Sequence, residues 1–173
     1  MALFRDVESI PKWVDHAHKA TKLRQVSDTE VYAHMITAMP FPFTYRHSIV
    51  HTRISQDKLS GDIIISGQDA EPGYLQKLSK EKQEILAHYK KKYVLIRNLK
   101  SHWAFRPQAG GMVEVEFQGY GNPGGNLSKY IPRRLLRMFI WEAPYNTLKG
   151  MRKIVLDTKY QSRHFSFIWE PVH

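Results

Sequence analysis

Histidine is the side chain best suited to chemistry in this sequence, which has nine histidines and no cysteine. Two pairs are closely spaced, His16 with His18 and His47 with His51. Residues four apart on a strand point the same way but lie about 13 Å apart, too far to share one metal ion. Residues two apart on a helix diverge, and no HExxH spacing occurs. We therefore predict no metal site and no cofactor, and we interpret the histidines as ordinary surface or core residues.

Motifs that mark a catalytic nucleophile are missing from the sequence. It has no GxSxG, no cysteine and no paired-carboxylate motif. The aromatic RNP strand and the helix-turn-helix of nucleic-acid-binding proteins are also absent. These features favour a non-catalytic binding protein whose partner is not a nucleic acid.

The chain is basic, with 26 lysines and arginines against 16 acidic residues and a net charge of +10. A field of this sign favours an anionic partner such as a phospholipid surface, a nucleic acid or an acidic protein. The densest basic runs, 77–92 and 133–152, fall where a charged outer helix face is expected in any case. A solvated basic surface is therefore the commoner explanation, and charge alone identifies no partner.

Three arginines, Arg46, Arg53 and Arg97, fall on predicted strands. An arginine buried in an apolar interior needs an anionic partner, because an isolated buried charge is very costly. Glu114 or Glu116 on a neighbouring strand could supply it, as could the head group of a bound lipid. An arginine on the solvent-facing side is more common, so both positions stay open.

Hydrophobic periodicity predicts six strands and three helices in one domain of 173 residues. The predicted helices are 4–18, 73–91 and 128–155, and the predicted strands are 19–28, 30–39, 46–55, 61–67, 93–106 and 112–120. This order predicts an α+β fold in which a curved antiparallel sheet wraps around a long C-terminal helix. We place the domain at 1–156 and a separate aromatic tail at 157–173.

The start of the chain does not look like a targeting segment. Arg5, Asp6 and Glu8 stand where a signal peptide needs an apolar centre. No apolar run approaches the ~20 residues of a membrane span. The compartment is undetermined, and the cytoplasm is the default expectation.

Two prolines fall in the predicted C-terminal helix. Pro132 is tolerated in a first turn, whereas Pro144 lies inside the helix and should kink or break it. The bend suits either a lid that lifts from the sheet or a structural kink that follows the curvature of the sheet.

Four short motifs follow one another in a recognisable order. An aspartate and a tryptophan open the chain, a Pro-aromatic-Pro segment precedes an arginine-bearing strand, a Val-Arg-type strand leads to a tryptophan, and an Asx-Pro-Gly-Gly turn precedes the last helix. The residues are Asp6 and Trp13; Pro40, Pro42 and Arg46; Ile96, Arg97 and Trp103; and Asn122, Pro123, Gly124 and Gly125. In this order, over most of residues 4–155, the chain resembles the StAR-related lipid-transfer (START) family of the helix-grip superfamily.

The resemblance implies a protein that binds a lipid or sterol-like molecule in a cavity beneath the C-terminal helix, with transfer of that molecule as a further expectation. Arg97 is then the best inward-facing arginine, because the family pattern is a Val-Arg-type strand. The predicted ligand-binding residues are Met35, Ile49, Arg97, Trp103, Phe105, Phe117, Leu136, Phe139 and Ile140. An ordinary filled core is the alternative for such a hydrophobic set. A cyclase or aromatase-type enzyme of the same superfamily and a module that binds no ligand also stay open.

A carrier of this kind must open at a membrane, and the basic residues suggest how it would be held there. We predict transient contact between an anionic bilayer surface and Arg133, Arg134 and Arg137 of the C-terminal helix. The basic helix at 77–92 is a further candidate.

The chain also departs from the family pattern. Tyr45 and His47 flank Arg46 where acidic residues are usual, and Asn122 replaces the aspartate before Pro-Gly-Gly. Six predicted strands replace the usual nine, because the chain starts at the aspartate–tryptophan helix. We expect an N-terminally shortened domain with an exposed sheet edge. A partner chain in a homo-oligomer, a missing N-terminal segment or the 157–173 tail would complete that edge.

Overall fold

A computed structural model of the protein describes residues 1–128 and 131–169. Seven strands form one sheet in the order β1-β2-β3-β4-β6-β7, and the short β5 pairs with β3 in parallel. All other pairings are antiparallel. The strands are β1 Ala17–Ser27, β2 Glu30–Thr37, β3 Arg46–Gln56, β4 Ile63–Asp69, β5 Val94–Leu95, β6 Arg97–Pro107 and β7 Val113–Asn122. The helices are α1 Ala2–Arg5, α2 Lys80–Lys92, α3 Arg133–Arg137, α4 Ala143–Ile154 and α5 Thr158–Gln161.

The alternation of side chains gives the sheet two buried faces. The outer face is covered by α2 and by the 3₁₀ turn Tyr74–Lys77. This cover packs through Tyr74, Leu78 and Leu86 onto Leu23 and Tyr32. The inner face is covered by the N-terminal segment and the C-terminal helix.

Large hydrophobic side chains occupy the inner face at one end of the sheet. The strand register places Ile54, Ile65, Trp103 and Phe117 side by side across four neighbouring strands. Met151 of the C-terminal helix belongs to the same buried cluster. We call these four side chains the aromatic row, after Trp103 and Phe117. The row packs with Met151 and so fixes the C-terminal half of the helix on the sheet.

The C-terminal helix runs for 22 residues from α3 through a π-helical turn, Met138–Glu142, into α4. Pro144 lies in the first turn of α4. The Ala143 amide donates to the carbonyl oxygen of Met138, five residues back instead of four. The α-helical hydrogen-bond pattern is therefore interrupted next to Pro144, which has no amide donor. The helix therefore continues past the proline. Its start at Arg133 corrects the prediction of 128, because Gly125–Ser128 is a 3₁₀ turn.

Gly150 allows α4 to approach the N-terminal segment closely. A Cβ atom built on Gly150 would lie 2.5 Å from the carbonyl oxygen of Trp13. Gly150→Ala should therefore lower the free energy of unfolding by about 1–3 kcal/mol, although alanine favours helix by up to ~1 kcal/mol. Urea denaturation measures the change, and Lys149→Ala on the exposed side of the same turn is the control. Equal stability of the two variants would contradict this close approach.

Three predicted elements are shorter than expected. Helix 4–18 is α1 followed by the 3₁₀ helix Val7–Lys12, and β1 already begins at Ala17. Helix 73–91 starts as a 3₁₀ turn before α2. The strand 93–106 is divided between β5 and β6 at residue 96.

The aromatic tail folds back onto the domain. Phe165 and Phe167 pack at the edge of the cluster that contains Trp103. Trp169 exchanges two backbone hydrogen bonds with the side-chain amide of Gln56, at 2.7 and 2.8 Å. Residues 170–173 lie outside the described part of the chain.

The outer edge of β7 carries no further strand within residues 1–128 and 131–169. The described part of the tail meets the end of β3 at Gln56 and adds no strand to β7. An oligomeric contact along this edge stays a prediction.

Candidate functional site

A trough of small side chains runs along the inner face, between the two hydrophobic clusters that contain residues of the C-terminal helix. The register pairs Thr52 with Gly67, Gly67 with Ser101, and Ser101 with Gly119. The adjoining pair is Val50 with Asp69. Each of these residues lies an even number of positions from Ile54, Ile65, Trp103 or Phe117 on its own strand, so all six share the inner face.

The trough keeps access to solvent. Val50, Thr52 and Ser101 are half-buried, although β3 is a central strand. His47 and His51, on the opposite face of β3, are each only 3% exposed. A filled core would bury the inner face of a central strand equally well. This part of the inner face is therefore packed less tightly than the outer face of the same strand.

Hydrophobic clusters clamp the helix at both ends of the trough. Met151 and Leu148 pack on the cluster that contains Trp13 and Trp103. At the other end, Leu135, Met138 and Phe139 pack with Met39, Phe43, Tyr45 and Leu127. Val7 and Ile10 of the N-terminal segment cover Val31 and Ala33 beside the trough. Hydrophobic contacts thus hold the C-terminal helix near both of its ends, and the N-terminal segment covers the sheet on one side of the trough.

Five of the predicted ligand-binding residues lie on the inner side. Trp103, Phe105 and Phe117 belong to the aromatic end of the trough, Phe139 to the opposite clamp and Met35 to the cluster around Val7. Whether they contact a ligand stays a prediction.

Four predicted residues lie elsewhere. Ile49 packs beneath the outer cover with Tyr32 and Leu86, so its predicted place under the C-terminal helix is wrong. Arg97 is exposed rather than inward-facing, because a β-bulge between Arg97 and Lys100 shifts the register. Leu136 and Ile140 are exposed along the flank of the helix. They line an open depression of about 620 Å³ with Arg133, Arg137 and Trp141.

Arg46, rather than Arg97, is the buried arginine of the inner face, with 4% exposure. Its Nε donates to the carbonyl oxygen of Pro123 at 3.1 Å, and its Nη1 donates to the carbonyl of Thr44. Burial lowers the pKa of its guanidinium. Arg46 thus ties the Pro123 turn to the start of β3 through backbone carbonyls.

Three buried histidines, His34, His47 and His51, lie on the outer face instead. His34 Nε2 and His47 Nδ1 are 3.2 Å apart, and Tyr89 of α2 lies against His34 with ring centroids 4.9 Å apart. His51 Nε2 lies 2.5 Å from Glu30 Oε1. Burial, with smaller contributions from His47 and Lys19, lowers the pKa of His34 to about 4. Within the described residues no group of three or more His, Asp or Glu side chains is placed to hold a metal ion.

The predicted membrane-contact arginines are all exposed, and Arg134 and Arg137 border a depression of about 400 Å³ together with Pro40. Phe41, next to Pro40, is 98% exposed at the tip of the β2–β3 loop. The sequence marks this segment by its Pro-aromatic-Pro motif, but nothing in that motif predicted the exposure of Phe41. No helix in the described parts of the chain is long and apolar enough to cross a bilayer.

Comparison with solved structures identifies the class of fold. A STAR-related lipid transfer protein of Xanthomonas axonopodis (fragment 25–204) matches with a TM-score of 0.64 and 25% identity over 87% of this chain and 74% of that chain. Human STARD10 matches with a TM-score of 0.66 and 14% identity over 88% of this chain and 56% of that chain. Human StAR-related lipid transfer protein 5 matches with a TM-score of 0.61 and 13% identity, over 83% of this chain and 62% of that one. The chain therefore has a START-like, helix-grip fold, as the sequence predicted.

Sequence comparison adds a bacterial relative. An uncharacterized protein of Pseudomonas aeruginosa, PA1579, is 29% identical over 151 residues. The match covers 87% of this chain but 65% of the relative. No family model matches the sequence.

Proposed function

We propose that this protein binds a hydrophobic molecule, a lipid or sterol-like amphiphile, in the trough and carries it between membranes without catalysing a reaction. The observation that carries the proposal is the half-buried inner face at Val50, Thr52 and Ser101, which lies between the two hydrophobic clusters that hold the C-terminal helix. The START-like fold adds support, because the solved structures of that fold include proteins named for lipid transfer.

The energetics favour shuttling over tight capture. Moving an acyl chain from water into an apolar site gains about 0.8 kcal/mol per CH₂, whereas moving it from a bilayer gains almost nothing because both environments are apolar. The ligand must therefore enter at a membrane. We propose that the helix bends at the π-helical turn Met138–Glu142 to admit the ligand, since the α-helical hydrogen-bond pattern is already interrupted there.

A vesicle assay tests the proposed function. Donor vesicles carry a fluorescent lipid with a quencher, and acceptor vesicles carry neither. Addition of the protein should raise the transfer rate in proportion to its concentration. The heat-unfolded protein is the control. A rate no higher than that of the control would contradict the proposal.

We propose that the Arg133, Arg134 and Phe41 region contacts the bilayer. Each basic residue near an anionic surface contributes about 1 kcal/mol. The double variant Arg133→Gln/Arg134→Gln should therefore bind phosphatidylserine vesicles roughly 30-fold more weakly in a sedimentation assay.

The control for that assay is Arg152→Gln/Lys153→Gln, which removes two exposed charges at the other end of the helix. It should bind nearly as well as the original chain. Equal weakening by both double variants would mean that net charge, rather than this region, attracts the protein to the membrane.

A further inference from the structure

Building on the proposed function, we infer that the bound molecule carries an uncharged polar end with a hydroxyl group, and that this end lies over Gly67 among Thr52, Ser101 and Asp69. Thr52, Ser101 and Asp69 make this part of the trough polar, next to the aromatic side chains of Trp103 and Phe117.

The strand register brings the polar side chains together. Thr52 and Ser101 flank Gly67 on the two neighbouring strands, which lie about 4.8 Å away on each side. Asp69 is two residues further along β4, about 7 Å from Gly67 and on the same face. Three polar side chains thus surround one glycine.

Gly67 supplies space rather than backbone freedom. Its φ angle lies outside the positive range that favours glycine, so an L-residue could adopt this backbone. A Cβ atom built there would collide with Ser101 Oγ and would lie 3.3 Å from Val50 Cγ1. The Ser101 hydroxyl therefore leans over the glycine, where a polar group of a ligand could reach it.

The three side chains are free to bind such a group. None of them makes a side-chain hydrogen bond with another residue in the described ranges 1–128 and 131–169. A serine or threonine hydroxyl can donate and accept, whereas an ionised carboxylate only accepts. A ligand hydroxyl can therefore donate to Asp69 while it accepts from Ser101 or Thr52.

The charge distribution disfavours an anionic end. Asp69 places a negative charge beside Gly67, and a second anion in this half-buried site would be repelled. Arg46 is on the same face of the sheet, but its guanidinium is held by the carbonyls of Thr44 and Pro123. An alcohol thus suits this polar part of the trough better than a carboxylate or a phosphate.

Three probes of equal chain length test the inference: hexadecanol, hexadecyl methyl ether and palmitate. Each displaces an environment-sensitive dye from the protein at pH 8, where palmitate is ionised. Hexadecanol should bind about tenfold tighter than the ether, which lacks the donor, and tighter still than palmitate. Thr52→Val and Ser101→Ala should each weaken hexadecanol about fivefold and leave the ether unchanged. Asp69→Asn should reduce the discrimination against palmitate.

Ser66→Ala, on the exposed side of β4 next to Gly67, is the control variant and should leave all three affinities unchanged. Equal binding of alcohol and ether, or tighter binding of palmitate, would overturn the inference while the carrier function stands. Failure of all three probes to bind would overturn the inference and the carrier function together. Unfolding curves confirm that each variant is folded.

Discussion

Replacing Trp103 with alanine should lower the free energy of unfolding by about 3–5 kcal/mol. Trp103 is 7% exposed and lies at the centre of the aromatic row. Its ring centroid is 4.3 Å from that of Phe117, 5.4 Å from that of Phe4 and 6.3 Å from that of Trp13. The substitution leaves a cavity at the point where the sheet, the N-terminal segment and the C-terminal helix meet.

Trp141→Ala is the matched control, because Trp141 is 74% exposed on the helix flank. We expect it to change stability by less than about 0.5 kcal/mol. Trp103→Phe should fall between the two, since it retains an aromatic ring. Guanidinium denaturation followed by circular dichroism measures all three. Similar losses for Trp103→Ala and Trp141→Ala would show that the aromatic row does not hold the helix in place.

Acid should destabilise the protein through His34. Burial lowers the folded-state pKa of His34 to about 4, whereas an unfolded histidine titrates near 6.5. The stability from the neutral ring is fully present above pH 6.5 and is lost as pH falls toward 4, because only the unfolded chain takes up the proton. This linkage amounts to about 2 kcal/mol by pH 5 and about 3 kcal/mol by pH 4.

Urea denaturation between pH 7 and pH 5 separates this effect from other titrations. His34→Gln should flatten the pH dependence by about 2 kcal/mol, and His88→Gln, on the exposed side of α2, should leave it unchanged. His47 also contributes, since burial lowers its pKa as well. A pH dependence that is identical in His34→Gln and the original chain would contradict the burial of a neutral ring beneath α2.

The fold was predictable from the sequence because its strongest signals are local. Val113, Val115 and Phe117 alternate along β7, and the apolar spacing after the Gly124–Gly125 turn is helical over α4. Because a long amphipathic helix follows consecutive antiparallel strands, packing that helix on the sheet is the simplest way to bury the apolar face of the sheet. The predicted α+β helix-grip fold follows from that order and from motifs that resemble those of the START family.

The site was only partly predictable, because the sheet is buried on both faces. Ile49 and Val50 are equally apolar neighbours, and periodicity does not say which of them faces the helix. The positive φ angle of Asn98, at 53°, goes with a bulge that no spacing rule indicated, and this bulge exposes Arg97. The trough also consists of small residues such as Gly67 and Ser101, whereas a list of large hydrophobic residues describes its walls.

The most direct test of the central claim is the amount of lipid that the folded protein takes up. The protein is incubated with lipid vesicles, separated from them and analysed by native mass spectrometry, in parallel with Gly67→Leu, whose side chain would fill the trough. We predict close to one lipid per chain for the original sequence and almost none for a folded Gly67→Leu variant. Lipid-free protein in both cases, or equal uptake by both, would contradict the account.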